Sequence, residues 1–182
     1  MRSIKVPQDR IGAIIGPKGS TKRMIQKISG IKIDIDTEEG DVLIHDEAEL
    51  ADPLMALKIM DVIRAIGRGF SPERAFRLFE DDEYFEVIDL KEFVGGRNNQ
   101  LTRIRGRLIG QNGKTRRIIE DLTGVEMTIY GNTVAIIGSS VSMPVAKHAI
   151  ELILNGSEHA TVYRYLEGER PKLRIAELGF EL

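Results

Sequence analysis

One pattern occurs twice in this chain, ninety-four residues apart: IIGPKGSTKRMIQKISGIKIDI from Ile14 and LIGQNGKTRRIIEDLTGVEMTI from Leu108. Aligned without gaps, residues 10–36 and 104–130 share nine identities, among them Gly16/Gly110, Gly19/Gly113, Thr21/Thr115, Arg23/Arg117, Ile25/Ile119 and Gly30/Gly124. A repeat of this length exceeds one solenoid unit and marks a duplicated domain. In each copy a short apolar helix runs into a GxxG turn, a cationic helix follows, and a glycine closes it before a strand. The 182 residues therefore divide into two domains of roughly eighty residues each.

The turn has a physical use. It reverses the chain within four residues, which glycine tolerates, and it delivers the start of a helix whose N–H groups and dipole attract anions. Without a β-carbon on Gly16, Gly19, Gly110 or Gly113, a phosphodiester can approach the backbone across Pro17 and Lys18, or across Gln111 and Asn112. Lys18, Lys22 and Arg23 in the first copy, and Lys114, Arg116 and Arg117 in the second, add attraction. Gly113, Lys114 and Thr115 also spell the end of a nucleotide-binding P-loop, but the position of its first glycine is Leu108 and no strand leads into the turn, so triphosphate hydrolysis is not expected.

Periodicity predicts a first domain over 1–69. Its elements are a strand at Ser3–Val6, helices at Arg10–Ile15 and Ser20–Ser29, strands at Ile31–Ile35 and Asp41–His45, and a closing helix at Pro53–Ile66. Met24, Ile25 and Ile28 are expected to point inward, as is a stripe of Leu54, Leu57, Ile59, Val62 and Ile66. Residues 70–84 read as a linker whose short helix starts at Ser71 and Pro72. The second domain, 85–156, has a strand at Phe85–Leu90, then passes through Gly95 and Gly96 into a helix at Asn98–Ile109. A helix at Asn112–Thr123, strands at Val125–Tyr130 and Thr133–Gly138, and a helix at Met143–Leu154 follow. A further helix at Glu158–Glu167 and a tail from Pro171 occupy 157–182.

The class is α+β, and the order strand, helix, helix, strand, strand, helix around a GxxG resembles the type I KH domain, an RNA-binding fold, in tandem. That resemblance implies a groove holding about four single-stranded nucleotides, with the GxxG clamping their backbone. By position the groove is lined by Ile14, Ile15, Ile25, Ile33 and Ile35 in the first domain, and by Leu108, Ile109, Ile119, Met127 and Ile129 in the second. The usual pattern has an aliphatic residue three after the second glycine. This chain has Lys22 and Arg116 there.

The net charge of −2 looks wrong for such a binder until its distribution is read. Arg97, Arg103, Arg105, Arg107, Lys114, Arg116 and Arg117 fall within one stretch that contains no acid. A phosphate backbone senses such a local patch, not the total, within a Debye length of about 8 Å. After its motif the first domain carries Asp34, Asp36, Glu38, Glu39 and Asp41, where the second has Thr128, Tyr130, Gly131 and Asn132. The second domain is therefore expected to be the main RNA reader and the first an auxiliary contact.

The segments GPKGSTKRMI, IGRGFSPERAF, RLIGQNGKTRRIIEDLTG and NGSEHATVYRYL together resemble the archaeal branch of the Krr-like and partner-of-Nob small-subunit assembly factors. The resemblance implies binding to the 3′ region of small-subunit ribosomal RNA, alongside other assembly or translation initiation proteins. Two alternatives stay open: a tandem KH regulator of messenger or RNA-decay substrates, and a protein–protein adaptor with inactive KH folds. No cysteine is present, and His45, His148 and His159 lack metal-ligand spacing. No catalytic residue, metal or cofactor is expected. Neither a secretory segment nor a membrane span is read in the sequence, so a cytoplasmic protein is expected.

Overall fold

In a computed structural model that describes residues 1–47, 52–95 and 97–180, the chain divides into two units, Met1–Asp81 and Asp82–Leu182. The first contains β1 (Arg2–Lys5), α1 (Gln8–Ile15), a 3-10 turn (Pro17–Gly19), α2 (Ser20–Ser29), β2 (Lys32–Ile35), β3 (Asp41–His45), α3 (Pro53–Gly67), α4 (Pro72–Ala75) and a second 3-10 turn (Phe76–Phe79). The second contains β4 (Tyr84–Asp89), α5 (Lys91–Val94), α6 (Asn98–Ile109), a 3-10 turn (Gln111–Gly113), α7 (Lys114–Thr123), β5 (Glu126–Tyr130), β6 (Thr133–Gly138), α8 (Ser142–Leu154) and α9 (His159–Glu177). Gly96, expected at the entry to α6, lies outside the described residues, as do the last two of the tail.

Each unit builds one antiparallel sheet with its third strand in the middle, in the orders β1-β3-β2 and β4-β6-β5. Registers agree between copies: Ile33 pairs with Ile44, and Met127 with Ile136. Alternation along the strands places Ile4, Ile33, Val42 and Ile44 in the first core, with Met127, Val134 and Ile136 in the second. Helices cover that face, burying Ile14, Ile25, Ile59, Val62 and Ile66 in one unit and Leu108, Ile119, Ile150 and Ile153 in the other. The two-layer α+β architecture follows.

Local chemistry fixes the ends of these elements. Asp52 Oδ1 accepts the Leu54 N–H at 2.9 Å and Pro53 opens α3, while the Ser71 hydroxyl accepts from Arg74 N at 3.4 Å ahead of α4. Gly30 and Gly124 end α2 and α7 in the left-handed conformation, at φ 69° and 78°. An arginine of the first motif helix reaches the end of the closing helix in both units. Arg10 donates to Ile66 O and Phe70 O at 2.8 and 2.9 Å, and Arg107 donates to Ile153 O at 2.6 Å and to Ser157 O.

Several expectations need correction. Met24 and Ile28 are 45% and 42% exposed, and Leu54 and Leu57 are 56% and 49% exposed, so only Ile25, Ile59, Val62 and Ile66 of those two stripes face the core. Residues 70–81, read as linker, fall in the first unit: Phe70, Ala75 and Leu78 are buried, and α4 and the Phe76–Phe79 turn pack on α3. α9 runs ten residues beyond the expected end and holds Pro171 inside it. A proline there forfeits one main-chain hydrogen bond and strains the preceding turn, at about 3 kcal/mol. Burial of Leu173, two residues further on, offsets part of that cost.

Candidate nucleic-acid interface

Both GxxG turns have the same backbone. Gly16 and Gly110 lie at φ 73°, ψ 173° and φ 75°, ψ 173°, a region open only to glycine. A β-carbon on Gly110 would overlap Thr115 Oγ1 and stand 2.6 Å from Thr115 N, and one on Gly16 would collide with Thr21 in the same way. Lys18 and Asn112 are left-handed at φ 52° and 53°, followed by left-handed Gly19 and Gly113. The N–H groups expected to be open at the helix start are partly used. Gly113 N donates to Gly110 O at 3.2 Å and Lys114 N to Gln111 O, with the same pair of bonds in the first turn.

The repeated arginine pins each turn. Arg23 Nη1 donates to Lys18 O at 2.6 Å, and Arg117 Nη2 to Asn112 O at 3.0 Å. A guanidinium carries five donors, so each retains N–H groups for phosphate. Lys114, Arg117, Gln111 and Asn112 are exposed around the second turn, and Pro17, Lys18 and Arg23 are exposed at the first. Arg116 lines a cleft of about 170 Å³ with Ile109, Gly113, Thr128 and Ile129, its Nε 3.7 Å from Glu120 Oε1. Glu120 Oε2 in turn accepts Met127 N at 3.2 Å, and Gln26 Oε1 accepts Ile33 N at 2.9 Å in the first unit. Each bond ties the cationic helix to the strand that forms the far wall.

Of the residues expected in the two grooves, Ile15, Ile35, Ile109 and Ile129 are partly exposed. Ile14, Ile25, Ile33, Leu108, Ile119 and Met127 are fully buried and support the surface without touching a ligand. The basic run does not form a single patch either. Arg103 is exposed, whereas Arg107 is turned onto the end of α8 and Arg105 has its Nε buried among the described residues. A helix distributes successive odd positions around its circumference, and linear spacing hides this.

In the first unit Asp34 stands where the second has Thr128. Its carboxylate lies 2.8 Å from His45 Nε2 and 3.6 Å from Lys32 Nζ, and the hydrogen bond to His45 holds its carboxyl below the usual carboxylate range. Backbone N–H groups of Glu39 and Glu38 do the same for Asp36. These acids are therefore ionised wherever RNA binding is measured near neutrality, and Asp34 puts negative charge at the repeat position where Thr128 lines the second cleft.

One contributor is absent from the sequence reading, and a second, Thr128, enters it only as the neutral counterpart of the first domain's acids. Tyr163, on α9, brings its hydroxyl 2.8 Å from Thr115 Oγ1, and Lys114 Nζ lies 6.0 Å from its ring centroid. Thr128 lines the cleft. The identity of Thr21 and Thr115 across the repeats follows from their packing against Gly16 and Gly110, so it gives no signal for Tyr163, whose helix only the second unit has. Tyr163→Phe is expected to leave the buried Thr115 hydroxyl one partner short and to cost about 1 kcal/mol of second-unit stability, read by chemical denaturation. The remaining expectations resolve simply. α6, not a strand, enters the second turn, which rules out a P-loop. His45, His148 and His159 engage Asp34, the Tyr165 ring and Arg107 O respectively, and no cluster of metal-ligating side chains occurs among the described residues. No described helix is long and apolar enough to cross a membrane.

Two sheets of this topology, each with a glycine-only turn between its first two motif helices, define a tandem type I KH protein. A family model for the eukaryotic-type KH domain (KH domain type I) matches residues 84–171, and a KH-domain model matches residues 1–50. A KH domain-containing protein of Methanocaldococcus jannaschii is 45% identical over 179 residues, covering 98% of this chain and 77% of its own length. The pre-rRNA-processing protein pno1 of Schizosaccharomyces pombe is 28% identical over 148 residues, 80% of this chain; the match spans 61% of that longer relative. In the crystal structure of an a/eIF2alpha–aDim2p–rRNA complex from Pyrococcus horikoshii, the matching chain is 48% identical with a TM-score of 0.87, and 94% of each chain is covered. The chain belongs to the Pno1/Dim2 family of KH-domain proteins.

Proposed function

We infer that this protein binds single-stranded ribosomal RNA, in the 3′ region of the small-subunit molecule, during assembly of that subunit, and that the second unit is its principal reader. The observation that carries the reading is the second turn: a glycine-only backbone, pinned by Arg117 and flanked by exposed Lys114 and Arg103, opens onto a cleft walled by Ile109, Ile129 and Thr128. The 48% identical chain found in a complex with rRNA supports the ligand class. Accompanying assembly or initiation proteins, a cytoplasmic site of action and the lack of a catalytic step go with the same reading.

A salt series tests it. With Arg107 committed to α8, the cations left near the turn suffice for roughly four phosphates, which for a single strand gives a slope of log affinity against log salt of about −3. An oligonucleotide copying the 3′ end of small-subunit rRNA is the ligand, with a shuffled sequence as control. Arg117→Ala is expected to flatten the slope by about 0.7. Its affinity should fall by more than that charge alone explains, because the turn also loses its pin. Binding indifferent to salt, or equal for the shuffled control, would refute the proposal.

A further inference from the structure

The two repeats differ in what covers their second motif helix. In the second unit α9 packs on both α7 and α8, and Ile118 and Leu122 of α7 are half-buried against a core to which α9 contributes Val162 and Leu166. The residues at the same repeat positions in α2 are Met24 and Ile28, and they stand 45% and 42% exposed. The helices themselves match: α2 and α7 are each ten residues long, bury Ile25 and Ile119, and end at Gly30 and Gly124. What differs is the segment after the closing helix. In the second unit it is a nineteen-residue helix; in the first it is α4 and a short 3-10 turn, which pack on α3 and leave α2 open.

A lone exposed apolar side chain needs no explanation. Two of them, one helical turn apart and at the positions their sister copy half-buries against its core, form a stripe shaped for a helix. The charges beside it have also changed. In the second unit Arg170 Nη1 of α9 donates to Asp121 O at 2.5 Å, the main-chain carbonyl of an acidic residue. In the first unit that position is Lys27, exposed, with exposed Arg23 one turn earlier. A basic side chain placed as Arg170 is placed would meet like charge there, and an acidic one would meet its complement.

We propose that the Met24–Ile28 face of the first unit docks an amphipathic helix of a partner protein, seated on α2 as α9 is seated on α7, with an acidic side chain where α9 carries Arg170. A second copy of this chain is a poor occupant. Its α9 has Val162, Leu166 and Leu173 buried in its own unit and would bring Arg170 against Lys27. The equivalent of the Tyr163–Thr115 bond would set an aromatic residue of the docked helix beside Thr21, next to the first GxxG turn.

The test uses the full-length protein, isotopically labelled, and two synthetic peptides of residues 158–177, one unchanged and one carrying Arg170→Glu. The altered peptide is expected to shift the amides of residues 21–28 and to bind at least about threefold tighter than the unchanged one, a difference of roughly 0.7 kcal/mol. Lys27→Glu in the protein should invert the order. Met24→Asp with Ile28→Asp should abolish binding while leaving the melting temperature within a few degrees, since both side chains are exposed. The proposal is overturned if neither peptide shifts α2, or if the two bind equally. It also fails if a single-stranded RNA oligonucleotide, not the peptide, moves Met24 and Ile28, or if the free protein dimerises through them.

Discussion

Ending the chain at Gly156 is expected to unfold the second unit while the first still melts cooperatively. α9 is not an appendage. It places Val162 and Leu166 at 0% exposure and Leu173 at 4%, and it packs on α7, whose Ile118 and Leu122 lie against the same core. Full burial of each of the three aliphatic side chains is worth about 1.5–3 kcal/mol, so together they supply roughly 5–9 kcal/mol. A whole domain commonly holds only about 5–15 kcal/mol. Truncation also removes Ser157 O from Arg107 and the tyrosine from Thr115, leaving polar groups short of partners. Calorimetry of the truncated protein should lose one of two transitions, and amide spectra should lose the dispersed signals of residues 84–154. Leu166→Ala gives a milder version, costing about 2–5 kcal/mol with the fold retained. A truncated chain that keeps both transitions would demote α9 to a detachable arm.

Much of this architecture could be read from the repeat. The ends of α2, β3, α6 and β6 fall where glycine, alternation and cationic spacing put them, because those signals are local. What stayed hidden is tertiary. The periodicity of α2 is the same whether its outer apolar pair is covered or bare, and only the second unit has a helix to cover it. Thus Ile118 and Met24, at one repeat position, meet different fates. Likewise Phe70 and Leu78 sit in a stretch whose proline and acids suggest a linker, yet their burial on α3 is decided by where the chain turns back.

The site shows the same division. GxxG, with the basic residues after it, announces an anion-binding helix start, and the two turns are superimposable in their dihedral angles. Charge counting, by contrast, cannot tell Arg103, which is exposed, from Arg107, whose guanidinium serves the end of α8. Nor can strand alternation separate Ile129, on the cleft wall, from Met127, two residues earlier on the same face and fully buried. The acids of the first unit were legible as charges, but their partners were not: Asp34 is held ionised by a histidine from the next strand.

Gln111→Asp with Asn112→Asp is expected to lower RNA affinity by roughly 10–100-fold at unchanged stability. Both side chains are exposed, so nothing is unburied. Asn112 is left-handed at φ 53°, and aspartate is one of the few residues that accepts that region. Carboxylates at the start of α7 are also favoured by its dipole and by neighbouring Lys114 and Arg117, so the fold has no reason to weaken. The ligand meets the opposite balance. A unit charge about 6 Å from a phosphate, at an effective dielectric constant near 20, costs roughly 2–3 kcal/mol, and salt screening reduces this for an exposed pair. Pro17→Asp with Lys18→Asp puts carboxylates at the same two positions of the first turn and shifts the charge by one unit more, since it also removes a lysine; Lys18 at φ 52° gives up its own left-handed strain in favour of a more tolerant residue. Its effect on affinity should be smaller, because Asp34 already charges the wall that Thr128 leaves neutral. Titration of both variants with the same oligonucleotide, alongside thermal melts, decides the matter. If the first-turn variant loses more affinity, the principal reader is the first unit; if neither loses any while both stay folded, RNA does not pass over these turns.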